Sequence, residues 1–503
     1  MEKLFLIITP LRMVSKPHEP ALGPLCLYSF ALKNGFGGDL LDFNDVITEE
    51  NISDYEAIVN TSLERWLSSH PEAKIIGISA LFSGIFTRAL KIARDVKKIR
   101  SDIAVVIGGN HPSIFPKEIL ENCPEIDYIV IGEGEEQFVS LLKLYSHGST
   151  TKFEIDNGIA YRSDGKVVIK EKTRYIDELD SLGVTNYDQV NFANYHSPDM
   201  DTWYNPKNHD IICAMPIATS RACPYKCNFC SMNAVMGSKF RSKSNEMVLE
   251  ELKILYYEHN IRYFRIIDDC STFDKENSMK LFSAIIASGM NVSFEFYNGL
   301  SIRTLDDELI DVLVEAGLLR GSLAFETGSN FLRNKIMNKN LSNEKIYEVY
   351  HHFEKKHPHV WLIGLFLIGL PEESVETLED TICMIKDLST VYPVFNVIVP
   401  FPGTRLWDQC VRDNLMLADI KDIWKRSFWA LPVILDKTDV DKTEINEGAW
   451  CSESLNKIEK TFFIKPYNLS IEKLIDYYKK LHILRVESWQ KIQQRKQLQS
   501  ETY

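Results

Sequence analysis

The sequence predicts a mixed α/β protein, with a doubly wound parallel sheet first, a partial (β/α)6 barrel second and a helical region last. In residues 1–145, short apolar strands alternate with amphipathic helices, which is typical of a parallel sheet covered on both faces. From residue 211 to 408 this alternation returns, which favours an incomplete barrel whose site lies at the carboxyl ends of its strands. The last stretch is charged and amphipathic, which predicts a helix.

These patterns divide the 503 residues into four predicted regions. The N-terminal sheet, which is Rossmann-like, takes residues 1–148. A linker takes 149–210 and contains one small hairpin, because an Asp-Gly pair separates two strand-like runs there. The barrel, of the TIM type, takes 211–408, and the helical region takes 409–503. The predicted strands are Leu4–Thr9, Lys74–Ser79, Ile103–Ile107, Tyr128–Ile131, Ile217–Ser220, Tyr263–Ile267, Ser293–Tyr297, Arg320–Phe325, Trp361–Ile368 and Val394–Val399.

Charge and hydropathy exclude several classes of function. The net charge of −13 argues against broad electrostatic capture of nucleic acid or of an anionic membrane. The longest apolar run is far shorter than the ~20 residues that span a bilayer, and no secretion signal opens the chain. We therefore expect a soluble cytoplasmic protein with no membrane contact. Seven of the ten cysteines are scattered, and we expect them to be structural thiols.

The other three cysteines form the decisive motif. Cys223, Cys227 and Cys230 stand in the spacing C-x3-C-x2-C, directly after a predicted strand. Thiolates are the usual ligands of iron–sulfur clusters, and three of them leave one iron of a 4Fe–4S cluster open for another ligand. The competing interpretations are a zinc site or unrelated thiols. Structural zinc normally takes four ligands in two pairs, and no second Cys or His pair follows at that spacing.

With the aromatic Phe229 before its last cysteine, this motif resembles that of the radical S-adenosylmethionine (SAM) superfamily. The resemblance implies that the open iron binds SAM and that an electron from the cluster cleaves SAM to a 5′-deoxyadenosyl radical. That radical would remove a hydrogen atom from a substrate. By the same resemblance, SAM contacts fall on Asp268 and Asp269 for the methionine ammonium, Glu326 for the ribose, Arg333 for the carboxylate, and Gly369 and Pro371 near the adenine.

In the N-terminal region, glycines stand where the predicted strands end. Glycine allows close approach of a flat or phosphorylated ligand, and doubly wound sheets bind ligands at these ends. Each segment alone fits a tight turn equally well. Together, across about residues 1–410, they resemble the chains in which a cobalamin-binding domain precedes a radical SAM barrel. The residues that this resemblance assigns to cobalamin are Pro24, Ser79, Leu81, Gly108, Gly109, His111, Gly132, Glu133, Gly134 and Glu135.

One departure concerns the cobalt ligand. Some cobalamin carriers supply a histidine from an Asp-x-His-x-x-Gly motif, whereas the comparable stretch here, residues 42–47, has neither the histidine nor the glycine. We therefore expect no histidine ligand to cobalt from this loop. His111 remains a stray candidate for that role.

Within this family the common reaction is methylation of an unreactive carbon, and sometimes of phosphorus. Two alternatives stay open. One is a non-methylating rearrangement, cyclisation or oxidation with the same cofactors, and the other is a non-catalytic cobalamin or iron–sulfur sensor. Methylthio transfer to nucleic acid would favour a second Cys cluster, which the N-terminal region does not have. The expected partners are a small-molecule or peptide substrate and an external electron donor of the flavodoxin or ferredoxin type.

Overall fold

The computed structural model describes residues 2–12, 19–48, 50–146, 155–195, 213–417 and 462–500. The chain divides into two compact units. Unit 1 comprises Met1–Ala222, Ala234–Asp268 and Ser288–Ser293. Unit 2 comprises Cys223–Asn233, Asp269–Ala287 and Phe294–Tyr503. The predicted barrel region therefore contributes segments to both units.

The regular elements follow the predicted alternation of strands and helices. In chain order, the strands are β1 (Lys3–Thr9), β2 (Gly37–Asp42), β3 (Ile75–Ser79), β4 (Ala104–Gly108), β5 (Tyr128–Val130), β6 (Ile159–Ser163), β7 (Lys166–Lys170), β8 (Ala214–Ile217), β9 (Ser220–Arg221), β10 (Arg241–Ser242), β11 (Tyr263–Ile266), β12 (Ser293–Leu300), β13 (Leu318–Glu326), β14 (Trp361–Ile368) and β15 (Tyr392–Val397). The α-helices are α1 (Leu22–Lys33), α2 (Phe43–Val46), α3 (Tyr55–Ser69), α4 (Ser83–Ile99), α5 (Asn110–Ile114), α6 (Pro116–Asn122), α7 (Glu135–Ser146), α8 (Met232–Met236), α9 (Asn245–Tyr257), α10 (Lys275–Ala287), α11 (Asp307–Ala316), α12 (Asn343–Lys356), α13 (Val375–Asp387), α14 (Arg405–Arg412) and α15 (Ile471–Ser500).

The main sheet of unit 1 has the strand order β2-β1-β3-β4-β5-β6-β7. Its first five strands are parallel, which confirms the predicted doubly wound arrangement. The chain leaves β1 in one direction along the sheet and returns through β3 in the other, so the crevice between these strands lies at a topological switch point. The β6–β7 hairpin forms around its Asp-Gly turn as predicted, but it extends this sheet antiparallel to β5 and does not stand apart in a linker.

Apolar side chains hold this sheet to its helices. Phe5 and Ile75 on the strands pack with Tyr28 of α1 and Phe138 of α7, all within one buried cluster. The Phe5 and Phe138 rings meet edge to face, with centroids 5.4 Å apart, a favoured geometry for aromatic pairs. The strands are apolar along nearly their whole length because helices cover both of their faces.

All six strands predicted for the second half of the chain are present. In unit 1, β8 and β11 pair in parallel. In unit 2, β12, β13, β14 and β15 pair in parallel in chain order. Only the first strand was misplaced, because β8 ends at Ile217 while the predicted strand ran on to Ser220. The residues between β8 and β9 form a turn, and the buried carboxylate of Asp268 accepts hydrogen bonds from it.

The C-terminal helix α15 packs on β15 and α13 within unit 2. Trp489 of this helix lies against the rings of Trp361 and Tyr392, with centroids 5.8 and 5.6 Å away. Phe462 and Phe463 are buried in the core, whereas Trp424, Trp429 and Trp450 lie outside the described residues. Among the helices that the structure describes, none combines the length and the apolar character that a membrane span requires.

A buried carboxylate organises the turn that follows β14. Glu373 is fully buried, and its Oε2 accepts hydrogen bonds from the main-chain N–H of Gly369 at 2.5 Å and of Leu370 at 3.3 Å. Gly369 has a φ of 98°, which a side chain would strain, and Phe462 packs against its open face. Burial raises the pKa of Glu373 to about 7, against its ordinary value of 4.5. The turn is thus built around a carboxyl group that holds its proton tightly.

We expect Glu373→Gln to flatten the pH dependence of stability. Because the folded chain binds this proton more tightly than the unfolded chain, the contribution of Glu373 is complete below pH 4.5 and is lost as pH rises through about 7. That loss is about 3 kcal/mol, at roughly 1.4 kcal/mol for each pH unit. Thermal unfolding midpoints at pH 5 and pH 8 should therefore differ less in Glu373→Gln than in the wild type. The half-buried neighbour provides the control variant Glu372→Gln, and equal differences in all three proteins would contradict the expectation.

Candidate functional site

The three cysteines of the motif lie on an irregular loop in unit 2, between β9 and α8. Ala222, the residue before Cys223, has a φ of 67°, so the chain turns sharply as it enters the loop. Left-handed backbone is uncommon for a residue other than glycine and is often found at functional sites. All three thiols are half-buried. The motif therefore lies on a turn and not in a helix.

Main-chain hydrogen bonds hold this loop from two sides. The N–H of Asn228 donates to the carbonyl of Met337, and its own carbonyl accepts from the N–H of Leu406, both at 3.0 Å. The side chain of Asn338 also donates to the carbonyl of Lys226 at 2.9 Å. The middle of the Cys loop is thus fixed by the segments after β13 and at the start of α14. The backbone sets the spacing of the thiols without any bond between them.

The donor set fits an iron–sulfur cluster better than a single ion. Among the residues that the structure describes, the three Sγ atoms do not come together within 4.8 Å of one another. Thiolates on one zinc ion, with Zn–S bonds of about 2.3 Å, would lie about 3.8 Å apart. A wider spread of three thiolates suits the larger cubane of a 4Fe–4S cluster, whose fourth iron then has no protein ligand from this loop.

The thiols differ in how readily they lose a proton. A hydrogen bond with the thiol of Cys270 lowers the pKa of Cys223 to about 7, and the partner thiol has a raised pKa. Burial raises the pKa of Cys227, and raises that of Cys230 to about 12. Cluster assembly must therefore displace protons from the two thiols whose pKa is raised, which makes loading of the site dependent on pH. We had expected Cys270 to be a structural thiol, but it lies against the cluster loop.

Two cationic side chains near the loop were not predicted. The positive charge of Lys339 favours the thiolate forms of Cys223 and Cys227, and that of Arg303 favours the thiolate of Cys227, although burial still leaves the pKa of Cys227 raised. The guanidinium of Arg303 lies over the ring of Tyr225 within the loop, 3.3 Å from its centroid. Both cations offset negative charge on the thiolates. A basic residue after a strand gives only a weak signal in sequence, and no pattern marked either one.

Glu326 is the last residue of β13. The segment that follows this strand binds the Cys loop through Met337. Glu326 has a φ of 66°, is 7% exposed, and its carboxylate pairs with Lys339. Strained backbone at a buried acidic residue is a feature of ligand-binding sites. Its predicted contact with the SAM ribose stays a prediction. The half-buried Asp269 and Phe229, and the turn at Gly369 and Pro371, likewise keep their predicted roles as predictions.

The structure gives Arg333 a different position from the predicted one. Its side chain is fully buried, and its guanidinium donates to the main-chain carbonyls of Phe325, Thr327 and Leu341. It also donates to the side chain of Asn343. With each nitrogen bonded to the protein, Arg333 braces the segment between β13 and α12. The prediction that it pairs with the SAM carboxylate is therefore at odds with its placement.

Asp268 in unit 1 is also committed to the fold. It is 2% exposed, and its carboxylate accepts from the N–H and the hydroxyl of Thr219 at 2.7 and 2.5 Å and from the hydroxyl of Ser220 at 2.6 Å. Burial raises its pKa against the effect of these bonds. Asp268 therefore holds the turn between β8 and β9, and its contact with the methionine ammonium stays a prediction that this placement does not favour.

At the strand ends of unit 1, Gly109 shows the clearest requirement for glycine. Its φ is 116°, and a Cβ atom there would lie 2.6 Å from the carbonyl oxygen of Ala80 and 2.9 Å from the nitrogen of Leu81. The ends of β3 and β4 therefore approach each other without intervening side chains. Leu81 itself is 37% exposed. An apolar side chain beside bare backbone fits the flat face of a large cofactor, and the predicted contacts of Gly109 and Leu81 with cobalamin stay predictions.

The other predicted cobalamin contacts in this unit keep their roles as predictions. Pro24 lies in the first turn of α1, and Ser79 and Gly108 end their strands. Gly132 has a φ of 72°, and Gly134 directly precedes α7. They all stand at or near the carboxyl edge of the parallel sheet, where ligands of doubly wound folds bind.

His111 is a packing residue. It is 2% exposed, with its ring 4.5 Å from that of Phe86 and 5.0 Å from that of Phe115. Its Nδ1 lies 2.9 Å from the hydroxyl of Ser83. Burial lowers its pKa to about 3, so the ring is neutral. This enclosed position does not favour the role of a cobalt ligand.

Glu133 and Glu135 lie in a buried network of charges within unit 1. Glu133 pairs with Arg241 at 2.6 Å, and Glu135 pairs with Arg221 at 2.5 Å. The carboxylate of Glu133 also accepts from the N–H of Ile176 at 3.0 Å. Because both carboxylates pair with arginines, a cofactor at this turn would contact the main chain of Gly132 and Gly134. Arg221 stands two residues before Cys223 in the sequence.

Comparison with known proteins agrees with both halves of this description. A family model for the B12 binding domain matches residues 45–142, and a model for the Radical SAM superfamily matches residues 217–385. In fold, the chain matches the solved structure of the radical SAM methyltransferase TsrM from Kitasatospora setae with cobalamin and a 4Fe–4S cluster bound. The TM-score is 0.63 at 17% identity, over 82% of this chain and 75% of that one.

Three relatives are similar in sequence to this chain over about two thirds of its length. An uncharacterized methyltransferase of Pyrococcus horikoshii is 29% identical over 68% of this chain and 70% of its own length. The cytidylyl-2-hydroxyethylphosphonate methyltransferase of Streptomyces wedmorensis is 26% identical over 68% of this chain and 67% of its own length. The anaerobic magnesium-protoporphyrin IX monomethyl ester cyclase of Rubrivivax gelatinosus is 27% identical over 67% of this chain and 58% of its own length.

These matches confirm the predicted fold class and the predicted pair of domains. With both models matched in one chain, this chain combines a B12 binding domain with a Radical SAM domain, and the cofactors of this combination are a 4Fe–4S cluster, SAM and cobalamin.

Proposed function

We propose that this chain is a cobalamin-dependent radical SAM methylase. It cleaves SAM reductively at a cluster held by Cys223, Cys227 and Cys230, and it methylates an unactivated carbon or phosphorus of its substrate. The observation that carries the proposal is the three-thiol loop, clamped through Asn228 in a chain that also has a B12 binding domain. Two of its relatives are named methyltransferases.

When bound, the cluster supplies the electron that cleaves SAM, and cobalamin supplies the methyl group. The chain's own residues position these groups. The clamped loop holds three thiolates at fixed spacing, while Lys339 and Arg303 offset their negative charge. A fixed array of charges costs no reorganisation when the reaction occurs.

The turns around the site also position the cofactors. Arg333 braces the segment after β13, which in turn binds the Cys loop through Met337. Glu373 fixes the turn after β14, where we place the adenine of SAM. In unit 1 the paired carboxylates of Glu133 and Glu135 fix the turn after β5, and Gly109 keeps its neighbouring strand ends bare for the corrin.

A second candidate function uses the same cofactors without methyl transfer. Cyclisation is the activity in the name of the Rubrivivax gelatinosus relative, so the family resemblance alone does not decide between the two. In either case the substrate is a small molecule or a peptide, and the electron comes from an external donor of the flavodoxin or ferredoxin type. We place the reaction in the cytoplasm, where such reduced donors are available.

Replacing one cluster ligand should abolish SAM cleavage. In Cys227→Ala the cluster loses one of its three protein ligands, so iron content should fall and deoxyadenosine formation should drop to background. Both are measured after anaerobic reconstitution with iron, sulfide and cobalamin. Cys383→Ala serves as the control because that thiol is exposed on α13. Survival of SAM cleavage in Cys227→Ala would disprove the assignment of the cluster.

The fate of the methyl group separates the two candidate functions. Reconstituted enzyme is incubated with methyl-labelled SAM, a reductant and the products of enzymes encoded beside it. The methylase proposal predicts label in the product, with one deoxyadenosine and one S-adenosylhomocysteine formed for each methyl group transferred. Omitting cobalamin should stop methylation and leave reductive SAM cleavage in place. Deoxyadenosine with a modified but unlabelled product would instead establish the cyclisation or oxidation function.

A further inference from the structure

A second cluster of possible metal ligands lies on the helices of unit 2. Asp311 of α11 faces His352 near the end of α12 and His357 just beyond it. The Oδ1 atom of Asp311 is 2.9 Å from His352 Nε2 and 2.7 Å from His357 Nε2. Both imidazoles are nearly buried, with 13% and 12% of their side chains exposed. Two imidazole nitrogens and a carboxylate oxygen therefore converge on one point.

The contacts of His352 are unusual for a neutral histidine. Its Nδ1 lies 3.0 Å from a carboxylate oxygen of Asp307, while its Nε2 faces Asp311. A neutral imidazole carries one N–H, so it can donate to only one of these two carboxylates. The other nitrogen then presents a lone pair to a negative oxygen. That contact is favourable only if a second proton or a cation lies between the two atoms.

We propose that Asp311, His352 and His357 bind a divalent cation of the zinc class. Metal-bound histidine usually donates its second N–H to a carboxylate, and Asp307 occupies that position for His352. Imidazole and carboxylate are ligands that zinc accepts, with bonds of about 2.0–2.2 Å. Ligand atoms around a tetrahedral ion lie about 3.4 Å apart, so each pair must separate by roughly half an ångström. Water completes the coordination.

The neighbouring charges are compatible with this ion. Lys356 pairs with Oδ2 of Asp311, leaving Oδ1 as the atom that faces the histidines. The side chain of Lys356 is 55% exposed, so it can also move away into solvent at little cost. Asp307 adds a second negative charge beside the site. Two carboxylates against one movable lysine leave an environment that favours a cation.

This site is distinct from the cluster site. His357 lies between α12 and the start of β14, at the amino edge of the sheet, whereas Glu326 and the segment that clamps the Cys loop follow the carboxyl end of β13. Residues at the amino edge of such folds serve stability more often than catalysis. A metal bridging α11 and α12 would act as a staple on the outer helical layer, because an ion bound only by the folded chain stabilises it.

Zinc titration of the reconstituted full-length enzyme tests the proposal. The cluster occupies the loop thiols, and its iron content is checked before and after the titration. The wild type should bind one zinc per chain against a chromophoric competitor, and zinc should raise its thermal midpoint. Asp311→Asn and His352→Gln should bind it at least tenfold more weakly and show no rise in midpoint. The neighbouring His351→Gln should behave like the wild type, since His351 is exposed and outside the cluster.

Cobalt(II) in place of zinc gives an independent readout. A tetrahedral site of nitrogen and oxygen ligands predicts visible d–d bands without thiolate charge transfer. These d–d bands should be absent from His357→Gln. If Asp311→Asn or His352→Gln fails to fold without metal, the zinc affinity of His357→Gln is compared with that of the wild type instead. No zinc retained by the wild type, or equal zinc affinity in the wild type and all three ligand variants, would overturn the proposal and leave the cluster as a proton-sharing triad.

Discussion

The geometry of the active site depends on the two hydrogen bonds that tie Asn228 to Met337 and to Leu406. A three-thiolate cluster site needs its sulfurs at fixed separations before any iron arrives, because thiols that must first be gathered add conformational entropy to the cost of loading. Here the main chain meets that requirement, since the loop is bound at its midpoint to segments at the carboxyl ends of strands. Arg333 supports this arrangement, because it fixes the segment after β13 to which the loop is bound.

Buried charge is the second feature that the fold must stabilise. Arg333, Asp268, Glu133 and Glu135 are all buried, and each has protein partners for its charge. Removing one member of such a network leaves an unpaired buried charge, which costs far more than a surface ion pair. These residues therefore contribute to function by rigidity, holding turns at strand ends where cofactors bind. Lys339 differs from them, because its charge also acts on the thiols of the loop.

The sequence was most informative where the pattern is local. Trp361–Ile368 was predicted to the residue, because an apolar run depends only on neighbours along the chain. The Cys motif was equally clear, since its chemistry lies in the spacing itself. The structural roles of Arg333 and Asp268 could not be predicted, because their partners, the carbonyls after β13 and the turn before Ser220, come together only in the folded chain. Cys270, Lys339 and Arg303 were missed for the same reason.

The central claim is that Cys223, Cys227 and Cys230 hold a 4Fe–4S cluster with one iron open to SAM. Electron paramagnetic resonance of the reduced, reconstituted enzyme, recorded with and without SAM, tests it most directly. We expect about four irons per chain and a cluster signal that changes when SAM is added, because SAM binds the open iron. A cluster signal unaffected by saturating SAM, or zinc bound to the loop in place of iron, would contradict it.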